Sequence, residues 1–270
     1  MTTLVIGATG HVGGSVVAQL LEAGQRVRAA SRNPDTAELP ADVEPVAMDL
    51  AVPGSLAPAL RGVRKVFTYA HPDGMADLVQ AALDAGVEHL VLLSSVAAAV
   101  ADPEADAIVR YHVLSERPIM RSRLPWTFLR PGGFASNAKW WAPSIKADGV
   151  ARIPFPDGQS TPIHEHDMAA VAVRALTEPG HEGNSYWLTG PESISQRAQV
   201  EAIANAIGRP VPLEEVPPEQ AGPLYPQPLL RHFAEAGSRP QEISPITEQL
   251  LGRKGLTFAQ WAVDHADNFR

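Results

Sequence analysis

The stretch Val5-Ile6-Gly7-Ala8-Thr9-Gly10-His11-Val12-Gly13-Gly14, "VIGATGHVGG", decides how the chain is read. Four glycines fall within these ten residues, directly after an apolar run. Gly7, Gly10 and Gly13 give the spacing G-x-x-G-x-x-G between a predicted strand and a predicted helix. In that setting the first glycine makes the tight turn. The second lets backbone approach a pyrophosphate, and the third lets helix pack closely on strand. The helix N-terminus then offers N–H groups and positive dipole to the phosphates. The candidate cofactor contacts here are Gly7, Thr9, Gly10, His11, Val12 and Gly13.

Working outward, apolar strands alternate with helical patterns: "TLVIGA", "QRVRAASR", "EPVAMDL", "RKVFTYA", "VEHLVLLSS" and "PWTFLRP". This alternation predicts an α/β fold, a doubly wound, Rossmann-like parallel sheet with right-handed crossovers. A helix is expected over "DPEADAIVRYHVLSERPIMRS", interrupted or bent near Pro118. After Pro131 the pattern turns irregular and rich in Gly, Pro and Trp. It becomes helical again at "DMAAVAVRALTEPG". The expected division is a cofactor-binding domain over 1–132 that returns at 166–190, with a small substrate-binding cap from 133–165 and 191–270.

Composition narrows the function. The 270 residues carry 22 Lys and Arg against 30 Asp and Glu, a net charge of −8, with 45% hydrophobic residues. That suits a folded core and argues against nucleic acid as a partner. There are no cysteines, which excludes disulfides, thiolate metal sites and cysteine nucleophiles. No charged-then-apolar leader and no run of about 18 apolar residues is seen, so a cytoplasmic protein without a membrane partner is expected.

The second strand narrows the cofactor. NAD-binding units usually carry an acid about 20 residues after the glycines for the ribose 2′-hydroxyl. "RAASRNP" has none between Arg28 and Pro34, and Arg32 stands there instead. A guanidinium suits a 2′-phosphate, so NADP(H) is expected. Asp49, followed by Leu50, ends the third strand, placed either to meet the adenine amine or to cap the next turn. Tyr69, Ala70 and His71 end the fourth strand, and Ser94 and Ser95 the fifth. Pro131, Gly132, Gly133 and Phe134 follow the sixth. These carboxyl ends are where ligands lie in open α/β sheets. Phe134, Asn137, Trp140 and Trp141 would wall a flat apolar substrate pocket or pack the cap, and Tyr69 is a further substrate contact. "HEHD", His164–Asp167, has the look of a metal cluster, but Asp167 also stands where a helix N-cap is expected.

"GATGHVGG", "VRAASRNP", "LPWTFLRPGGF", "IHEHDMAAVAVRAL" and "YWLTGPESIS" together resemble the NmrA-like, atypical short-chain dehydrogenase/reductase family, over nearly the whole chain. The resemblance implies an NADP(H)-binding oxidoreductase, monomeric or homodimeric, with no metal at the "HEHD" position. It is nearest to members resembling quinone oxidoreductase and triphenylmethane-dye reductase. Ordinary short-chain dehydrogenases use Tyr-x-x-x-Lys on the helix after the fifth strand, and this helix has no Lys. His112, thirteen residues before Pro125, occupies the lysine position of phenylpropanoid-type relatives, and Ile108 the tyrosine position. Tyr111 gives only Tyr-x-x-x-Ser, and Glu116 fits the quinone- and dye-reductase pattern. His112 and Tyr69 are thus the catalytic candidates, His112 as a ribose contact or a proton donor.

Without the Tyr–Lys pair, ketone chemistry, which develops an alkoxide, is disfavoured. Acceptors that need no strong acid are favoured. The expectation is an NADPH-dependent reductase of a planar conjugated molecule, a quinone first, then an imine or activated C=C. An NADP(H)-sensing regulator without catalysis and a cyclase or isomerase that retains the cofactor stand as alternatives.

Overall fold

The structure, a computed structural model, describes residues 1–99, 106–221, 225 and 227–270. Its contacts divide into two compact units, Met1–Pro131 with Glu165–Leu188, and Gly132–His164 with Thr189–Arg270.

In the first unit, β1 (Thr2–Ile6) leads through the glycine turn into α1 (His11–Glu22). There follow β2 (Arg26–Ser31), β3 (Glu44–Ala47), α2 (Leu56–Leu60), β4 (Val63–Tyr69) and α3 (Pro72–Asp84). Next come β5 (His89–Leu93), α4 (Ala107–Met120) and β6 (Trp126–Pro131). The second unit contributes α5 (Ala142–Asp148), β7 (Ala151–Ile153) and β8 (Gln159–Ser160). The chain returns to the first unit as α6 (Glu165–Thr177) and β9 (Asn184–Leu188). It ends in the second with β10 (Ile194–Ser195), α7 (Gln196–Ile207), β11 (Leu213–Glu215), α8 (Gln227–Ala236), α9 (Pro245–Leu251) and α10 (Phe258–Asp264).

The first unit is a seven-stranded sheet of order β3-β2-β1-β4-β5-β6-β9, parallel throughout, with helices as its crossovers. It is Rossmann-like, as the alternation of strands and helices predicts. Leu4 and Val5 of β1 are fully buried, which is why this strand reads as an unbroken apolar run. Val12, Val16, Val17 and Leu20 give α1 its buried stripe. Strand order reverses between β1 and β4, in register at Val5↔Phe67. The carboxyl ends at this switch point are the ligand crevice of such sheets.

The second unit has its own core, in which Trp141, Ile145, Ile153, Phe258, Trp261 and Phe269 pack together. The stretch expected to be irregular is ordered: Ala135–Trp141 forms a 3-10 segment that runs on into α5. Two further expectations are corrected. Helix α6 begins at Glu165, so Asp167 lies inside its first turn, fully buried, and is not the N-cap. Helix α4 runs through Pro118 without the interruption expected there, and the predicted start at 102–105 lies outside the described residues. Among the described residues, no helix is long and apolar enough to cross a membrane.

Candidate functional site

The glycine turn has the geometry its spacing implies. Gly7 sits at φ +78°, a left-handed conformation that disfavours side chains. A Cβ on Gly13 would lie 2.0 Å from the Gly7 carbonyl oxygen, so only hydrogen fits where α1 crosses β1. Gly10 is the N-cap of α1, with no side-chain cap and no acid in the first turn. The first N–H groups of a helix have no carbonyl partner within it, so this end is open to an anion. Thr9 and His11 are exposed beside it, whereas Val12 is buried and offers only backbone.

The flanking loops complete the edge. Arg32 is exposed just past β2 and has no partner among the described residues. Asp49 caps the turn after β3, where Oδ1 accepts from the Ala51 N–H at 2.9 Å. Leu50, a candidate cofactor contact beside Asp49, packs its side chain into the core. Its carbonyl lies 2.1 Å from where a Cβ on Gly74 would stand, a close approach of α3 that sequence spacing did not reveal. The Tyr69 ring lies against Gly7 and is 40% exposed. Ala70 has both backbone groups engaged, its N–H with the Leu93 carbonyl and its carbonyl accepting the Tyr111 hydroxyl at 2.8 Å. Burial raises the Tyr111 pKa, with Tyr69 and Asp73 adding to the effect. His71 caps α3, its Nδ1 accepting from the Gly74 N–H at 3.1 Å. That places its proton on Nε2, leaving a donor at the end of β4.

His112 sits in a hydrogen-bonded chain. The Ser94 hydroxyl donates to Glu116 Oε1 at 2.6 Å. Arg130 grips the same carboxylate through Nε at 3.0 Å and a terminal nitrogen at 2.5 Å. Glu116 and Ser94 are 3% and 1% exposed, so the pair is held dry. His112 Nδ1 lies 3.5 Å from Ser94 Oγ. Since Ser94 spends its single proton on Glu116, its oxygen receives from His112, which puts the imidazole proton on Nδ1 and a lone pair on Nε2. Burial lowers the His112 pKa, partly opposed by Glu116, so the ring is neutral near pH 7. Glu116 was legible from the family pattern; Arg130 was not, because it reaches the site from the next strand. Ser95 Oγ accepts from the Ala97 N–H and is taken up by its own turn. Pro131 closes β6, buried.

The second unit carries a pocket lined by Gly132, Gly133, Phe134, Asn137, Trp140 and Trp141 among others. The sequence-predicted substrate residues, apart from Tyr69, therefore meet in one place. Phe134 is fixed by a parallel bridge to Ile163. Trp141 donates its indole N–H to the Tyr225 hydroxyl, and Trp140 meets the Tyr225 ring edge-on at 5.5 Å. Tyr225, Gln196 and Gln199 also line the pocket, and nothing in their spacing tied them to it.

The "HEHD" residues diverge. His164 faces Asp264 at 3.3 Å, while His166 lies 3.2 Å from Gln19, on α1. Because the segment opens a helix rather than continuing a strand, residues two apart point in different directions.

A family model described as NAD(P)H-binding matches residues 7–179. The chain is 37% identical to a (4-alkanoyl-5-oxo-2,5-dihydrofuran-3-yl)methyl phosphate reductase of Streptomyces griseus, covering 98% of each chain. It is 36% identical to an NAD(P)H azoreductase of Xenophilus azovorans, again over 98% of each. Among solved structures, an NADPH-dependent quinone oxidoreductase of Escherichia coli superposes with a TM-score of 0.78 at 25% identity, covering 98% of this chain and 99% of the other.

Proposed function

We propose that this chain, which belongs to the NAD(P)H-binding family and is an NAD(P)H-dependent oxidoreductase of the atypical short-chain dehydrogenase/reductase type, uses NADPH to reduce a planar, conjugated small molecule. A quinone is the first candidate, followed by an activated C=C or an imine or azo bond. Bound NADPH supplies the hydride. The carrying observation is the glycine turn, which excludes even a methyl at Gly13, together with a helix that sets His112 beside Ser94.

The fit to the cofactor rests on the chain's own atoms. Gly7, Gly10 and Gly13 leave room for pyrophosphate at the start of α1. Arg32, exposed and unpartnered among the described residues, suits a 2′-phosphate and favours NADPH over NADH. In its neutral form His112 presents Nε2 as an acceptor, which suits a ribose hydroxyl better than proton donation. The Ser94–Glu116–Arg130 chain holds that orientation.

Quinones, enones and azo bonds match the missing Tyr–Lys pair. Hydride addition to them leaves a delocalised anion that water protonates, so no strongly acidic side chain is needed. The second unit's pocket suits such an acceptor in the aromatic, apolar character of its walls. We assign Gly132–His164 and Thr189–Arg270 as the substrate-binding part on that ground.

The test is anaerobic NADPH oxidation across menadione, azobenzenes and an alkanoyl butenolide, beside titration with NADPH and NADH. Turnover of at least one class and tighter binding of NADPH are expected. Tight NADPH binding with no turnover of any class would point instead to a cofactor-sensing protein.

A further inference from the structure

Gln196 opens α7, is 1% exposed and lines the pocket of the second unit. Its amide nitrogen donates to two carbonyls, of Pro154 at 2.8 Å and of Phe155 at 2.9 Å. Two carbonyl acceptors fix which way the amide points, since its oxygen has nothing to donate to them. The oxygen is then left over: among the described residues Oε1 is buried without a hydrogen-bond partner. Buried polar atoms are nearly always satisfied, and an orphan calls for a cause.

A structural role explains half of this side chain. Phe155 stands at φ +54°, strained for an aromatic residue, and its carbonyl also receives the Gly158 N–H at 2.8 Å. Gln196 thus braces the turn at 154–158. That bracing uses only the NH₂ group, which a lysine would also supply. Oε1 takes no part in it. Asn137 lines the same pocket, and its carboxamide has no partner among the described residues. Gln199 donates through its amide nitrogen to Ser160 Oγ at 3.2 Å.

We infer that Gln196 sets the specificity of this pocket: Oε1 accepts a hydrogen bond from an N–H or O–H group carried on the ring system of the ligand. The inference rests on the pocket being the acceptor site proposed above. It narrows the substrate class from flat conjugated molecules in general to amino- or hydroxy-substituted ones. A ligand without the donor leaves the oxygen unpaired, and sites with a buried polar group discriminate most strongly against such analogues.

The test uses three probes of one shape: para-aminoazobenzene, its N-methyl derivative and its N,N-dimethyl derivative. The first two keep an N–H and the third has none, so bulk and donor are separated. Binding is read from quenching of Trp140 and Trp141, which line the pocket, with no turnover required. The amino and N-methyl probes are expected to bind within a few-fold of each other, and the dimethyl probe about tenfold more weakly or worse. In Gln196→Lys, which keeps donors for the 154–155 carbonyls and has no acceptor, and in Gln196→Met, the preference should vanish. Thermal melts establish that each variant is folded. Equal binding of all three probes to the wild-type protein would overturn the inference while leaving the acceptor site intact. So would a preference that survives in both variants. Binding of none would overturn this inference and the pocket assignment together, with NADPH-dependent turnover standing as the separate measure of hydride chemistry.

Discussion

The glycine turn of the first unit and the pocket of the second are built in opposite ways. The turn is eight residues of continuous chain, Gly7–Gly14, whose backbone does the work. The pocket is assembled from side chains that lie as far apart in sequence as Phe134 and Phe233. A pyrophosphate is a fixed ligand, and its cradle needs particular backbone angles that only glycine supplies at close approach. An acceptor pocket needs only complementary walls, which many combinations of residues supply. One surface therefore tolerates almost no change, and the other should tolerate change while shifting what it accepts.

The sharpest way to break that contrast is Gly13→Val. Its Cβ falls 2.0 Å from backbone that cannot retreat, so overpacking should cost more than about 3 kcal/mol. NADPH affinity should fall by about 100-fold or more, read by calorimetry beside a thermal melt. Near-normal NADPH binding by this variant would dissolve the distinction between the two surfaces.

Arg130→Met comes next. It leaves Glu116 buried at 3% exposure beside Ser94 without its cation. A loss of roughly 3–5 kcal/mol in denaturant unfolding is expected. Glu116→Gln/Arg130→Met, which removes both charges, should recover part of it. If the single variant is as stable as wild type, the carboxylate does not hold the His112 chain together.

The rigidity of the first unit also has a pH signature at the other end of β5. His89 is buried against Thr127 Oγ1 at 2.9 Å, and burial lowers its pKa to about 4. The unfolded chain therefore takes up this proton before the folded one does. Stability from this group is full above the unfolded value near 6.5 and is lost as pH falls from there toward about 4. The loss amounts to about 3 kcal/mol, and unfolding curves across that range should show it shrinking in His89→Gln.

Arg32→Ala is the mildest change. NADPH affinity should drop about tenfold with NADH affinity nearly unchanged, since an exposed guanidinium contributes a modest charge-assisted bond. Equal losses for both cofactors would place Arg32 outside the 2′-phosphate contact.

What was legible in the sequence follows the same division. The sheet was readable because buried parallel strands, such as β1 with Leu4 and Val5, must be apolar on both faces. Gly7 and Gly13 were readable because a left-handed backbone at the first and a close backbone contact at the second exclude other residues. The 3-10 segment Ala135–Trp141 was missed because its tight turns lack the 3.6-residue period that marks an α-helix. Asp167 misled because an acid near a helix start suits either the cap or the first turn. Arg130 and Gln196 were hidden for another reason. Their roles depend on partners brought near by tertiary structure, Glu116 in one case and the Pro154 and Phe155 carbonyls in the other.

The most direct test of hydride transfer from a cofactor held in one orientation uses NADPH deuterated at either of the two positions on its transferring carbon. The NADP formed with an accepted quinone, azo dye or activated alkene is weighed by mass spectrometry. The account predicts that one diastereomer loses all its deuterium and the other keeps it. Equal loss from both, or no NADP formed with any acceptor, would contradict it.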